Sequence, residues 1–255
     1  MQSIMEVSGS SNERKKTWSG FWSGLIWLIV GFVCIVASQF AAIIALGALE
    51  IVQFGTELSE ERIKELAFDG DALAFAFLFI LPMIVAILAF VVKIRRRQSF
   101  FDYLGIRQVE KKALAIWLLY GIVFLIAAYV CDRFFNRPLI PEWMLTAYDS
   151  ADYPWLFFFS VAVLGPLSEE FLYRGYVIKV WAESISGPII GTVLLSLMWA
   201  ATHLQYDLYD MTWIFLMGLI LCVSRLRTNS IIPAFTIHMC WNTAGLVMLV
   251  LYRAV

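Results

Sequence analysis

From Phe21 to Leu49 the chain contains no charged residue, and that run alone decides most of what the molecule can be. About 20 apolar residues carry an α-helix across the hydrocarbon of a bilayer, so a longer run implies a tilted span or a helix end projecting into water. Backbone groups find no water in hydrocarbon and must be paired within the structure, which a helix achieves by itself. Further apolar runs, at about Ala72 to Val92, Ala113 to Cys131, onward from Trp155, up to His203, Met211 to Ser224 and Ile231 to Leu251, bring the expected number of spans to about seven. The expected fold class is all-α, a polytopic membrane helical bundle. Charged residues make up 15% of the chain, where a soluble domain carries about 25%.

The loops assign the sides. Arg14, Lys15 and Lys16 precede the first span. Lys93, Arg95, Arg96, Arg97, Arg107, Lys111 and Lys112 crowd one connection, and Arg225 and Arg227 mark another. Cytoplasmic loops carry the excess of Lys and Arg, so all three segments are expected in the cytoplasm, the N-terminus included. Residues 1–17 read as a polar cytoplasmic segment, and 18–255 as one transmembrane domain with its catalytic core at about 154–251. The acidic stretch that begins after Thr56-Glu57 and contains Leu58, Ile63 and Leu66 reads as a short helix on the outer surface. Pro82 is expected to kink the second span. The first apolar run is too long for a cleavable signal. A formal net charge of −1 argues against a nucleic-acid partner. The four cysteines form no CxxC pair, so neither a disulfide framework nor a zinc knuckle is expected.

Gly165-Pro166-Leu167-Ser168-Glu169-Glu170-Phe171-Leu172-Tyr173-Arg174-Gly175 places two carboxylates and a guanidinium at the end of an apolar run. A charge near the middle of a bilayer costs roughly 2.5 to 3.5 kcal/mol on insertion scales, so such groups have partners and a task. Glu170 and Arg174, four apart with the acid first, read as an ion pair that locks a helix. Glu169 points away from that pair and needs a partner on another helix or a polar cavity.

The only histidines, His203 and His238, both fall on expected spans. If residues 169–203 form an antiparallel hairpin, its midpoint is Ser186, inside the Gly-Pro turn at 187–188. Glu169 and His203 then stand at one depth, about 25 Å along an α-helix from the turn. The tip, Arg174 to Pro188, is expected to project beyond the membrane. His238 and Asn242 share a helical face, as do Trp199 and His203, so Trp199 would wall the site and orient the imidazole. Two chemistries suit these groups. Glu169 and His203 could draw a proton from water while His238 and Asn242 donate to an oxyanion, which is peptide hydrolysis. Alternatively the glutamate and histidines could ligate zinc, although no HExxH is present. Ser168 and Ser196 lack the surroundings of a nucleophilic serine.

Three motifs give the chain a resemblance to a known family. Glu169-Glu170-Phe171-Leu172-Tyr173-Arg174, Trp199-Ala200-Ala201-Thr202-His203 and His238-Met239-Cys240-Trp241-Asn242 resemble the EExxxR, FxxxH and HxxxN motifs of the type II CAAX prenyl endopeptidase and bacteriocin-processing group, the Abi or CPBP intramembrane glutamic peptidases. The departure is Trp199 in place of phenylalanine, and Leu104-Gly105-Ile106 looks like a weaker family feature. The resemblance implies a metal-independent endopeptidase without a cofactor, its active site in the C-terminal four spans of a bundle of about seven. Glu169 and His203 would activate water, His238 and Asn242 would form the oxyanion hole, and Glu170, Arg174 and Trp199 would support the site. The implied substrate is a membrane-associated peptide or lipidated protein reaching the site from the cytoplasmic side of a membrane, a prokaryotic one being favoured by the short loops. The alternative within the family is a non-catalytic immunity or scaffold protein.

Overall fold

The computed structural model describes residues 18–55, 59–96 and 99–254; the segment 1–17, read above as cytoplasmic, lies outside them. The protein is 84% helical, with no strand among the described residues. Its helices are α1 (Trp18–Phe54), α2 (Glu60–Leu66), α3 (Gly70–Val91), α4 (Phe100–Leu104), α5 (Lys111–Phe134), α6 (Glu142–Asp149), α7 (Pro154–Ala182), α8 (Gly187–Ala201), α9 (Leu208–Thr228) and α10 (Ile232–Arg253). Six of these, α1, α3, α5, α7, α9 and α10, are long and apolar enough to cross a membrane, so the chain is an integral multi-pass membrane protein. The seventh expected span, α8, is a shorter apolar helix of 15 residues. At ~1.5 Å per residue it measures about 22 Å against a hydrocarbon core of ~30 Å. It ends at Ala201, so His203 lies just past its end.

α1 shows how small residues set the packing. A Cβ on Gly24 would stand 1.9 Å from Trp181 Nε1, and one on Gly31 2.2 Å from Leu172 Cδ2, both on α7. Without a hydrophobic drive between helices in lipid, such close approach gives dispersion contact its strength. The Trp181 indole also donates to the Phe21 carbonyl at 3.0 Å. These contacts hold the segment from Arg174 onward against the rest of the protein. Arg174, Tyr176, Val177, Ile178 and Trp181 are all buried, because α1, α4 and the turn after α9 close around them. Gly105, at φ +74°, brings its backbone so close to Arg225 that a Cβ would lie 2.9 Å from the guanidinium. Arg225 then reaches the carbonyl of Arg174 at 2.9 Å, and Ile231 N–H bonds the carbonyl of Gly105 at 3.0 Å. The Leu104-Gly105-Ile106 turn thereby ties the basic loop to the back of α7.

The opposite end is pinned by polar groups. Asp71, buried at the start of α3, accepts the backbone N–H groups of Asp152 at 3.0 Å and Tyr153 at 3.1 Å. Ser150 Oγ accepts the Gly70 N–H at 2.9 Å. The segment between α5 and α7 contains α6 and lies back over the bundle. α2 forms within the acidic stretch, capped by Ser59 and bonded through Arg62 to Glu50 of α1 at 2.6 Å. α3 runs on through Pro82 as one helix.

Candidate active site

α7 is not uniformly α-helical: Ser160–Leu164 and Glu170–Val177 are π-helical, with Gly165–Glu169 α-helical between them. Such widened turns are rare and recur at functional sites, because they redirect side chains and carbonyls relative to an α-helix. Here they bracket the paired glutamates.

Glu169 and Glu170 diverge as their adjacency requires. Glu170 is buried, and its Oε1 accepts from Arg174 Nη1 at 3.1 Å and from His238 Nδ1 at 2.9 Å. The expected Glu170–Arg174 pair is therefore present, and it extends to His238 on α10, a link the spacing did not suggest. Glu169 is half-buried and accepts the indole N–H of Trp199 at 2.5 Å. The hairpin register thus bonds Glu169 to Trp199, one helical turn before His203. The indole is the hub of the site. Its ring lies edge-on to the imidazoles of His203, at 5.2 Å, and His238, at 5.3 Å. The Arg174 guanidinium sits 4.3 Å from the ring centroid, a cation–π arrangement.

Two hydrogen bonds set the state of the remaining groups. His203 Nδ1 lies 2.9 Å from the Trp199 carbonyl. A carbonyl can only accept, so Nδ1 carries a proton, and in the neutral ring Nε2 is then an acceptor with no hydrogen-bond partner among the described residues. Asn242 Nδ2 donates to the Val161 carbonyl, inside the first π stretch, at 2.9 Å. That bond uses one of the two amide protons. The serines are occupied locally: Ser168 Oγ donates to the Gly165 carbonyl at 2.8 Å and Ser196 Oγ to the Thr192 carbonyl at 2.8 Å.

Glu169, Trp199, His203, His238 and Asn242 all line one cavity of about 290 Å³. Tyr206, whose ring lies 6.1 Å from that of His203, and Trp143 of α6 also line it, and neither drew notice from sequence alone. Among the described residues no three His, Cys, Asp or Glu side chains are grouped to hold a metal ion.

Fold and site together define a class: a polytopic helical membrane protein that gathers carboxylate, imidazole, indole and carboxamide around one cavity. Within it, residues 151–244 match the family described as type II CAAX prenyl endopeptidase Rce1-like, so the resemblance carried by the three motifs holds over the segment that contains them. An Escherichia coli protein described as "Uncharacterized 24.3 kDa protein" is 34% identical over 89 residues, which are 34% of this chain and 41% of that protein. The similarity therefore spans less than half the relative's length. No solved structure matches.

Proposed function

We propose that the protein is an intramembrane endopeptidase that hydrolyses a peptide bond in a membrane-associated peptide or lipidated protein, using water activated by Glu169 and His203. The observation that carries this reading is the division between the two carboxylates: Glu170 is consumed by Arg174 and His238, while Glu169 faces the cavity with an indole N–H as its only hydrogen-bond partner among the described residues. Glu169 and His203 both line the cavity, and a water between the carboxylate and Nε2 would be deprotonated as it attacks the carbonyl. The tetrahedral oxyanion would take the second amide proton of Asn242 and a proton from His238 Nε2. His238 already donates through Nδ1, so this role requires its imidazolium, whose charge Glu170 opposes. No step needs a metal or cofactor.

Two variants test the division of labour. Asn242→Ala is expected to slow cleavage by about 10²- to 10³-fold, the usual effect of losing one oxyanion donor. Elemental analysis should find its metal content the same as that of wild type; zinc bound stoichiometrically to the active wild type and lost with activity in His238→Ala would instead favour a metallopeptidase. Trp199→Phe keeps an aromatic wall and removes the N–H that holds Glu169. A hydrogen bond to a charged group contributes about 1.5–3 kcal/mol, so kcat is expected to fall at least about ten-fold with KM nearly unchanged. An unchanged kcat would reduce Trp199 to packing.

A further inference from the structure

The cavity lies towards one face of the bundle, and it is not the basic one. On α5 it is lined by Ala128, Tyr129 and Asp132, near the end far from Lys111. On α9 it is lined by Asp210 and Trp213, near the end far from Arg225 and Arg227. Its rim is built by Trp143 of α6 and by Gln205 and Tyr206 of the connection after α8. Towards the basic face the site is shut: Leu104, Arg174, Val177, Leu221 and Cys222 are each 0% exposed. Arg225 seals the seam behind them.

The two faces differ in charge. Segments 93–112 and 225–229 carry nine Lys and Arg against two Asp and Glu. Segments 55–71, 132–153 and 202–210 carry four against twelve. An excess of Lys and Arg in short loops marks the cytoplasmic side. The cavity mouth belongs to the acidic set. There Arg137 pairs with Asp207 and, at 3.6 Å, with Asp210. Asp207 is held below the ordinary carboxylate range, first by the backbone N–H of Asp210 and then by Arg137.

We infer that the site opens to the extracytoplasmic side, and that its substrate is a membrane-inserted peptide whose scissile segment stands in the outer half of the bilayer. This reverses the cytoplasmic access expected from sequence and disfavours a lipidated C-terminus presented from the cytosol. The word substrate rests on the peptidase reading above; the direction of access does not.

Gly245 offers a probe. It lines the cavity one turn beyond Asn242, and a Cβ there meets nothing within 4 Å. In a background lacking Cys34, Cys131, Cys222 and Cys240, Gly245→Cys and the exposed Arg227→Cys would be treated with a small, charged, membrane-impermeant thiol reagent. In intact cells Gly245→Cys is expected to label nearly completely and Arg227→Cys only after permeabilisation. The reverse pattern, or a Gly245→Cys that labels only after permeabilisation, would overturn the inference. Should the cysteine-free protein fail to fold, a tag following α10, which ends on the acidic face, is expected to be removed by protease added to intact cells; protection of the tag would overturn the orientation. Labelling reads no turnover, so a protein labelled from outside yet inactive on every peptide would defeat the peptidase reading and leave the access route standing.

Discussion

Replacing Glu170 by glutamine is expected to cost the folded protein about 3 kcal/mol or more and to abolish cleavage as well, because breaking a buried ion pair from one side leaves the other charge uncompensated. Glu170 and Arg174 are both fully buried, and a single carboxylate oxygen of Glu170 also anchors His238. The amide oxygen of glutamine can still accept both hydrogen bonds, since they share one oxygen, but it carries no charge to balance the guanidinium. The faces of Trp199 and Tyr173, 4.3 and 5.9 Å from the guanidinium, stabilise that charge far less than a carboxylate does. Thermal unfolding in detergent checks this, with apparent Tm and yield both expected to fall well below wild type. A Glu170→Gln protein as stable as wild type would show that Arg174 finds compensation elsewhere.

Glu169→Gln is expected to behave in the opposite way. The substitution keeps shape, and the amide oxygen can still accept the Trp199 indole N–H that the carboxylate takes at 2.5 Å. Among the described residues Glu169 makes no ion pair, so stability should change little. What is lost is the base, and general-base catalysis contributes about 10²- to 10⁴-fold. Cleavage should therefore fall by at least two orders of magnitude at nearly constant Tm. Equal losses of stability in the two variants would contradict the assignment of one glutamate to chemistry and the other to support.

How far such roles can be read from sequence depends on what they rest on. Chain-local features were legible: the apolar runs gave the spans, and four-residue spacing gave the Glu170–Arg174 pair. The need of Glu169 for a partner on another helix followed from its angular position alone, and Trp199 supplies it. Features that depend on hydrogen-bond register were not legible. Nothing in the spacing of residues announces that 160–164 and 170–177 are π-helical, and that geometry accompanies the bond from Asn242 to the Val161 carbonyl. Trp199 reads as an aromatic wall until its N–H is seen on Glu169. The closure of one face of the bundle was not legible for a related reason. Depth counted along a hairpin says how far a residue is from the turn, but the closure of one face depends on Arg225 reaching the carbonyl of Arg174 past Gly105.

Purified wild-type protein and Glu169→Gln, each reconstituted in liposomes with a pool of membrane-inserting peptides and analysed for new peptide termini by mass spectrometry, test the proposed chemistry most directly. Defined new termini with wild type, lost with Glu169→Gln and insensitive to prolonged chelation, are the expected result; the same termini from both proteins, or none from either across the pool, would contradict a glutamate-activated peptidase.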